Sequence, residues 1–369
     1  MKITIITLQN IRNYGSTLQA LATQKIFEKL GLEVEFVDYR RKDHLSKFAR
    51  INRWTNGFNI IKKAIYTFLL YPTFSVQDKK FSSFISKYLH VKKGICCDDN
   101  DFKKLEWNSD FYCTGSDQTW NSKWNGGILP PLFLSFAPQI ENCISYAASF
   151  GKEKLDDWEL EKTKKLLKKY KAISVREASA VNICNELGYD ATLVLDPTLQ
   201  LDKEFWKQYA GKSKYKEPYV LIYQLNTNAK FDKYAKEFAK RKGYKLVRFC
   251  TRLDQAIKCG TPALIPNVLD FVNLIYHAKF VITDSFHATA FSININTNFL
   301  SIYPEEFSSR LASILKLTQL ENRHLKNYDD FSFVEEQDID FSLANAILAQ
   351  ERDKGWNFLK QAIDGKNNK

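Results

Sequence analysis

The chain has 369 residues, of which 44% are hydrophobic and 14% aromatic. This composition excludes global disorder and supplies enough apolar surface for two hydrophobic cores. Its formal net charge of +12 suits phosphates, nucleic acid or an anionic membrane surface, and equally a generally basic soluble surface. Seven cysteines without a Cys-x-x-Cys or His-x-x-x-His spacing predict a reduced, cytosolic protein with no metal site.

The first 40 residues alternate between strand and helix. Residues 2–7 predict a buried strand and not a signal peptide, because the apolar run is too short and no small-residue cleavage site follows. Apolar residues from Leu18 to Leu30 repeat with a helical period that Gly31 closes, and residues 33–39 predict the next strand. This order predicts a parallel sheet. Since no stretch approaches the ~20 apolar residues of a membrane-spanning helix, we expect a cytoplasmic protein.

Residues 41–72 depart from this pattern because they mix Lys and Arg with large apolar side chains. Those side chains are Trp54, Phe58, Ile60, Ile61, Ile65, Phe68 and Leu69. One interpretation is an ordinary pair of helices packed on the core. The other is a basic amphipathic segment that makes a peripheral contact with the anionic inner face of a membrane.

A second alternating series begins near residue 219. Its predicted strands are 219–225, 245–250, 280–283 and 299–303. The Lys-rich stretch 203–218 separates the two series, so we expect domains at 1–205 and 206–345 and a helix with a tail at 346–369 that crosses back to the first domain. The pattern predicts an α/β fold of two Rossmann-like, doubly wound domains facing a cleft, with ligands beyond the carboxyl ends of the strands.

The first polar motif lies between the first strand and the first helix. It consists of Asn13, Tyr14 and Gly15. Glycine permits close backbone approach, and the N-terminus of a helix offers N–H groups to an anion or a sugar hydroxyl. A plain helix cap is the alternative, and taken alone the better one. Neither a Walker motif nor Gly-x-Gly-x-x-Gly is present, so the common nucleotide signatures are not met.

The second motif follows the strand predicted at 110–114. It contains Ser116, Asp117, Gln118, Trp120 and Asn121. A Trp ring offers a flat apolar face to the C–H groups of a sugar, while Asp and Asn pair with its hydroxyls. The alternative is an Asp that caps a following helix.

Two further motifs combine charge with a strand end. Arg176 follows the strand-like residues 173–175, and a guanidinium can grip a carboxylate or phosphate with two hydrogen bonds. The alternative for Arg176 is an ion pair with Glu177 or a neighbour. Asp196 precedes Pro197, which fixes the backbone angle φ, and we interpret this motif as a shaped turn.

The last motif contains a histidine with polar neighbours. His287 follows Asp284 and Ser285 after the strand predicted at 280–283, at the start of a helix. A single histidine is more often structural than catalytic, but these neighbours are not core residues. Imidazole also exchanges protons readily near neutral pH. His287 is therefore the candidate acid or base.

These motifs, in this order, resemble the polysaccharide pyruvyl transferase family. The matching segments are Asn13–Gly15 with Leu18–Ala20, Gly115–Asn121, Ser145–Gly151, Ser174–Glu177, Asp196–Thr198, Thr283–His287 and Ser308–Arg310. Each segment alone is weak evidence, whereas seven in order are specific. The resemblance runs from residue 1 to about 325 and includes no motif in residues 41–72.

The resemblance implies a fold like that of GT-B glycosyltransferases and phosphoenolpyruvate as the donor, bound by the second domain. In the family the corresponding arginine and histidine serve the donor site, which here means Arg176 and His287, with Ser285 and Phe286 beside the histidine. Many members have Arg where this chain has Ser285, and Arg310 is the candidate for the missing positive charge. No cofactor or metal is implied.

The resemblance also implies a sugar acceptor on the first domain, a hexose such as galactose, with a lipid-linked oligosaccharide as one form of that acceptor. The product would be a 4,6-type pyruvate ketal, with release of phosphate, in the synthesis of capsular or other surface polysaccharide. We assign proton transfer to His287 and positioning of the acceptor to Asp117 or Asp284. The acceptor-binding candidates are Asn13, Tyr14, Gly15, Ser116, Asp117, Gln118, Trp120 and Asn121.

Two other functions are compatible with parts of this sequence pattern. A glycosyltransferase that uses a nucleotide sugar would have the same architecture, since fold alone does not decide function. A nucleic-acid-binding protein is permitted by the positive charge, but no helix-turn-helix, RRM or zinc-finger pattern is present, so we expect no nucleic-acid partner.

Overall fold

The computed structural model describes residues 1–138, 142–304 and 309–365. Its strands in chain order are β1 (Lys2–Ile6), β2 (Glu33–Tyr39), β3 (Val91–Cys96), β4 (Phe111–Thr114), β5 (Cys143–Ser145), β6 (Tyr170–Ala172), β7 (Ser174–Val175), β8 (Thr192–Leu193), β9 (Tyr219–Tyr223), β10 (Lys245–Cys250), β11 (Thr261–Leu264), β12 (Phe280–Thr283) and β13 (Phe299–Ser301). Its α-helices are α1 (Tyr14–Lys29), α2 (Lys47–Trp54), α3 (Ile60–Tyr88), α4 (Asp99–Lys103), α5 (Ser122–Asn125), α6 (Asp157–Leu167), α7 (Ala178–Glu186), α8 (Pro197–Gln200), α9 (Lys203–Ala210), α10 (Ala229–Arg241), α11 (Asp270–Tyr276), α12 (Phe286–Ile295), α13 (Ser309–Leu317) and α14 (Ser342–Asp364).

Contacts within the chain group it into two compact units. Unit 1 consists of Met1–His44, Ser83–Leu201 and the described residues from Leu348 onwards. Unit 2 consists of Leu45–Ser82 and Asp202–Ile347. Each unit is therefore assembled from separate stretches of the chain.

Residues 45–82, which the sequence analysis placed in the first domain, group with unit 2. Their contacts explain this grouping: the side-chain amide of Gln77 donates to the carbonyl of Thr251 at 2.8 Å, and the hydroxyl of Thr73 accepts from the backbone N–H of Leu253 at 3.2 Å. No periodicity within residues 45–82 could have revealed these partners, because they lie more than 170 positions further along the chain.

The sheet of unit 1 has the strand order β3-β2-β1-β4-β5-β6, and each neighbouring pair is parallel. The central strand β1 is a nearly continuous apolar run in which Ile3, Ile5 and Ile6 are fully buried, as expected for a parallel strand covered on both faces. The order reverses between β1 and β4, which is the doubly wound arrangement.

The sheet of unit 2 repeats this plan with the order β11-β10-β9-β12-β13, again with parallel neighbours. Its order reverses between β9 and β12. Helix α10 lays Phe231, Tyr234 and Phe238 into the core beside this sheet, and the side chain of Asn228 caps the start of that helix. The predicted α/β class with two Rossmann-like parallel sheets is confirmed.

Two further properties of the chain are the apolar character of its helices and the state of its cysteines. Within the described ranges, no helix combines the length and apolar character needed to cross a membrane. All seven cysteines are free thiols. Burial raises the pKa of the Cys96 and Cys184 thiols to about 12, so these two side chains behave as neutral apolar groups.

Candidate functional site

In unit 1 the loops after β1 and β4 carry predicted site residues, and these two strands flank the reversal of strand order. Such a reversal leaves a crevice beyond the carboxyl ends of a parallel sheet. After β1, the side-chain oxygen of Asn13 accepts from the backbone N–H of Ser16 at 3.2 Å and caps α1. Tyr14 and Gly15 are buried in the first turn. Asn13 is partly exposed, so it is the member of this motif that is open to a ligand.

A buried ionic cluster joins the loop after β4 to the end of β7. The guanidinium of Arg176 contacts carboxylate oxygens of Asp196 at 2.8 Å, Asp117 at 3.4 Å and Glu177 at 3.7 Å. The hydroxyl of Ser116 donates to the same oxygen of Asp196 at 3.2 Å. One cation thus faces three carboxylates, and all four charged side chains are less than a tenth exposed.

The carboxylates of this cluster also hold the backbone of neighbouring loops. Asp196 caps α8 by accepting from the N–H of Thr198 at 3.0 Å and from its hydroxyl at 2.7 Å. Glu177 accepts from the hydroxyl of Ser149 at 2.8 Å and from the N–H of Gly151 at 3.1 Å. Because buried carboxylates are stable only when paired and hydrogen-bonded, these bonds make the cluster a fixed frame.

Arg176 keeps its positive charge near neutral pH. Burial acts to lower the pKa of Arg176, but the carboxylates of Asp196, Asp117 and Glu177 outweigh it and the pKa is raised. Burial, and then the charge of Asp196, raise the pKa of the nearby Tyr146 well above its ordinary value, so that side chain remains a neutral phenol.

This geometry bears on two expectations from the sequence. Arg176 is 1% exposed and paired with carboxylates, so a direct grip on a donor anion would require those pairs to break inside a negatively charged pocket of side chains. The alternative of an ion pair with Glu177 or a neighbour describes what is present. Asp117 is engaged in the same pairing and its backbone has a φ of 83°, while its role as an acid or base stays a prediction.

Trp120 does not present the sugar-binding face that its motif suggested. It is 3% exposed, its ring stacks on Phe133 with centroids 5.3 Å apart, and Phe150 and Tyr170 pack against it. Its indole N–H donates to the carbonyl of Leu132 at 3.2 Å. Trp120 is therefore a core residue beneath the loop after β4.

The remaining residues of this motif are also built into the frame. Asn121 is fully buried and caps α5 by accepting from the N–H of Trp124 at 2.9 Å. Ser116 is fully buried as well. Gln118 is partly exposed, and its side-chain oxygen accepts from Asn121 at 2.5 Å. Among the acceptor candidates, Asn13 and Gln118 are thus the ones with exposed surface.

In unit 2 the corresponding reversal lies between β9 and β12, and Asp284 connects the loops after both strands. One carboxylate oxygen accepts from the N–H of Leu225 at 2.7 Å, and the other accepts from the N–H of Asn226 at 2.9 Å and from its side-chain amide at 3.0 Å. Asp284 is 5% exposed, and burial raises its pKa although these hydrogen bonds act to lower it. Asp284 therefore anchors the loop after β9, and its catalytic role stays a prediction.

The residues that follow Asp284 form the start of α12. The hydroxyl of Ser285 accepts from the N–H of Ala288 at 3.4 Å and caps the helix. His287 lies in the first turn with its ring 5.2 Å from that of Phe286, and the guanidinium carbon of Arg310 lies 5.6 Å from the centroid of the Phe286 ring. The structure therefore brings four predicted donor-site residues together, and it brings the positive end of a helix dipole to the same place.

Two contributors to these clusters were not assigned a role from the sequence. Glu177 was considered only as a partner of Arg176, yet it also holds Ser149 and Gly151. Asn226 was not singled out, although an Asn directly after a buried strand is a signal of a polar loop. Ser308 of the last motif lies outside the described residues. Where the structure describes the chain, no group of three or more His, Cys, Asp or Glu is arranged to hold a metal ion.

Comparison with solved structures defines the class of fold. The chain is similar to S. aureus MnaA in a co-structure with UDP, with a TM-score of 0.50, 11% identity and coverage of 98% of this chain and 96% of that chain. Acinetobacter baumannii MurG gives a TM-score of 0.44 at 9% identity, covering 99% of each chain. E. coli heptosyltransferase WaaC with ADP gives 0.43 at 11% identity, covering 95% of this chain and 100% of that chain. The class is the GT-B-like fold of two Rossmann-like α/β units.

The family follows from the sequence. The family model described as polysaccharide pyruvyl transferase matches residues 13–306, which is most of the chain and includes the cluster around Arg176 and the residues Asp284 to His287, whereas Arg310 lies beyond the matched range. The protein therefore belongs to the polysaccharide pyruvyl transferase family, a family of transferases. A search of curated proteins gave no match.

Proposed function

We propose that this protein transfers the pyruvyl group of phosphoenolpyruvate to a sugar as a cyclic ketal and releases phosphate. The observation that carries the proposal is the family match over residues 13–306, which includes both Arg176 and His287. We further propose a hexose acceptor modified across its 4- and 6-hydroxyls, in the synthesis of a surface polysaccharide.

The donor is assigned to the start of α12 in unit 2. Phosphoenolpyruvate carries a phosphate and a carboxylate, and such anions are stabilised by helix N-termini and by guanidinium groups. Ser285 caps this helix, and Arg310 lies beside Phe286 in its first turn. Arg310 thus supplies the charge that many members of the family carry at the position of Ser285.

His287 is assigned the proton transfers. Protonated His287 gives its proton to the methylene carbon of the enol, which leaves an oxocarbenium-like carbon. A sugar hydroxyl adds to this carbon and loses its own proton to the now neutral imidazole. Phosphate then departs with the C–O bond electrons, and the second hydroxyl closes the ketal while losing its proton. One proton is consumed by carbon and two are released by hydroxyls, so one leaves with phosphate or solvent.

Unit 1 is assigned the acceptor. The buried cluster of Arg176 with Asp117, Glu177 and Asp196 fixes the loop after β4, and this supports a positioning role for Arg176. Asn13 and Gln118 are partly exposed, lie in the loops after β1 and β4, and are the proposed partners of sugar hydroxyls.

The test is an acceptor screen with phosphoenolpyruvate held constant. Phosphate release that depends on one sugar, together with the mass gain of a pyruvyl ketal on that sugar, is the expected result. His287→Ala lowers turnover by about 10²–10⁴-fold at unchanged melting temperature. His90→Ala, an exposed histidine of unit 1, is the matched control and keeps full activity. Full activity in His287→Ala would remove the assigned mechanism.

A second measurement addresses the donor site alone. Arg310→Gln is expected to raise the KM for phosphoenolpyruvate about tenfold, because a charge-assisted contact to an anion is worth roughly 1.5 kcal/mol or more. An unchanged KM would contradict the assignment of Arg310.

A glycosyltransferase that uses a nucleotide sugar is the alternative. The fold similarity to a UDP complex is compatible with it, but at 11% identity that similarity speaks only for the fold. Thermal stabilisation by a nucleotide sugar, with none by phosphoenolpyruvate, would favour this alternative over the proposed reaction.

A further inference from the structure

We propose that the helical pair α2–α3 docks unit 2 on the surface of an anionic lipid membrane. The docking patch is defined here as the exposed part of residues 45–72. This inference is independent of the proposed reaction, because it uses none of the residues assigned to donor or acceptor.

The segment that contains the patch has an unusual charge pattern. Residues 44–77 include no Asp or Glu, whereas they include Lys47, Arg50, Arg53, Lys62 and Lys63; Arg50 is buried and paired with Asp78, so the other four supply the charge of the patch. The chain as a whole has 42 acidic residues among 369, so a stretch of this length without one is a local positive field and not an average piece of the surface.

The apolar side chains of the patch are exposed to a degree that a soluble surface rarely shows. Ile60 is 88% exposed, Phe68 81% and Ile61 74%. Ile61, Ile65, Phe68 and Leu69 are spaced so that they share one face of α3, and each of them is exposed. Contiguous exposed apolar side chains mark a surface that meets a partner or a membrane.

The opposite face of the pair is packed, so the patch is held rigidly. Ile51, Leu70 and Phe74 form a small buried cluster between the helices. The guanidinium of Arg50 pairs with Asp78 at 2.7 Å. Thr73 and Gln77 are also hydrogen-bonded to Leu253 and Thr251 elsewhere in unit 2, so the patch is exposed on helices that are packed in place.

The patch also has the shape of an amphipathic lipid-binding surface. An open apolar groove of about 650 Å³ runs between the helices, with Phe48, Phe68 and Pro72 among its lining residues. Lys63 lies at the edge of the groove, and Lys62 lies 4.1 Å from the ring centroid of Phe58. Lysines of this kind keep the ammonium group in water or at phosphates while apolar neighbours enter the acyl boundary.

An anionic membrane explains this combination better than a second copy of the chain. A two-fold interface would place the patch against itself and bring the basic side chains of both copies together. Lipid phosphates instead neutralise them, and acyl chains cover the isoleucines and Phe68. Charge complementarity therefore favours an anionic membrane over a second copy of the chain.

The experiment is co-sedimentation of the full chain with vesicles of phosphatidylcholine, with or without phosphatidylglycerol. Binding is expected only with phosphatidylglycerol and is expected to weaken at high salt, because exposed charges are screened. Absence of binding to the anionic vesicles would overturn the proposal.

Two pairs of variants locate the contact. Lys62→Ala with Lys63→Ala is expected to weaken vesicle binding about 25-fold, roughly fivefold for each lysine. Lys164→Ala with Lys165→Ala, two adjacent exposed lysines of α6 in unit 1, is the control and leaves binding unchanged.

Phe68→Glu is expected to weaken binding about tenfold or more. Trp158→Glu, at a ring that is 61% exposed in unit 1, is its control.

Each other result is decisive as well. Equal losses in the test and control variants would mean a diffuse charge effect and would overturn the proposal. A chain that sediments as a dimer, and becomes a monomer in Phe68→Glu without any vesicle binding, would assign the patch to a second copy. Lys62, Lys63 and Phe68 are all exposed, so the variants are expected to keep the melting temperature of the wild type. An unchanged melting temperature shows that weaker vesicle binding does not come from unfolding.

Discussion

The two sheets use charge in opposite ways at the same topological position. In unit 1 the guanidinium of Arg176 is enclosed by three carboxylates, so its charge holds neighbouring loops together. In unit 2 a carboxylate, Asp284, is enclosed by amide donors of one loop, and the guanidinium of Arg310 lies beside the first turn of α12. A charged residue after a strand can therefore hold loops together, and its partners decide whether it does so or faces a ligand.

The largest effect is expected at Arg176. Arg176→Met leaves three buried carboxylates without a counter-charge and should lower the free energy of unfolding by about 3–5 kcal/mol. Arg310→Met, in the other cluster, should change it by less than about 0.5 kcal/mol, because the residue is partly exposed. Urea unfolding measures both. A stable Arg176→Met protein that loses only affinity for phosphoenolpyruvate would show that Arg176 binds the donor and would contradict its structural role.

The next effect is expected at Asp284. Asp284→Ala removes the acceptor for the N–H groups of Leu225 and Asn226, and each buried donor left unsatisfied costs about 1–3 kcal/mol. Asp284→Asn keeps one acceptor oxygen and should cost less. Thermal unfolding of both variants measures this order. Loss of turnover in Asp284→Asn at full stability would show a chemical role that the anchor interpretation does not contain.

A smaller effect isolates crowding in the unit 1 frame. A Cβ at Gly151, where φ is +60°, would lie 2.6 Å from the side-chain nitrogen of Asn121 and 2.8 Å from the side-chain oxygen of Gln118. Gly243 has a φ of +67° and open space, so Gly243→Ala measures the cost of the backbone alone, about 1–2 kcal/mol. Gly151→Ala should cost about 1 kcal/mol more. Equal losses would mean that the amides of Gln118 and Asn121 move aside freely.

The smallest effect is a pH dependence confined to unit 2. His324 stacks on Tyr303, which follows β13, with ring centroids 3.5 Å apart. Burial, and then the charge of Lys326, lower the pKa of His324. The neutral form is therefore favoured in the folded state, and this contribution to stability is present above the ordinary histidine pKa of about 6.5 and is lost as the pH falls below it.

The measurement is thermal unfolding between pH 7.5 and pH 5. The wild type should lose more stability over this range than His324→Gln, while His90→Gln in unit 1 should behave as the wild type. Identical profiles for all three proteins would show that His324 is not the titrating group.

Much of the fold could be predicted from the sequence because apolar periodicity is local. The strands 33–39, 245–250 and 280–283 were predicted with the bounds that the structure gives. Helix α9 was missed, since its Lys-rich sequence looked like a linker. Trp206 of that helix is fully buried and packs edge-on against Phe291, a partner that no local pattern indicates.

The candidate site was predicted in part for the same reason. The order of motifs placed His287 at a strand end and at a helix start, which are local features. The state of Arg176 depended on Asp117 and Asp196, which are 59 and 20 positions away. Trp120 was misjudged because a ring after a strand looks the same in sequence whether it is exposed or lies on Phe133. Burial of this kind is decided by distant packing and not by the neighbouring residues.

The path of the chain has a consequence for how the protein is made. Unit 1 contains both the earliest residues and the end of α14, where the side chain of Arg352 donates to the carbonyl of Leu199 at 2.8 Å and Leu359 is fully buried. During synthesis from the N-terminus, unit 2 has all its segments as soon as residue 347 has emerged from the ribosome, whereas unit 1 must wait for α14. Unit 1 is thus the last to be completed, although all six strands of its sheet lie within residues 2–172, and a ribosome that stalls before α14 would leave an unfinished surface on unit 1 for chaperones to cover.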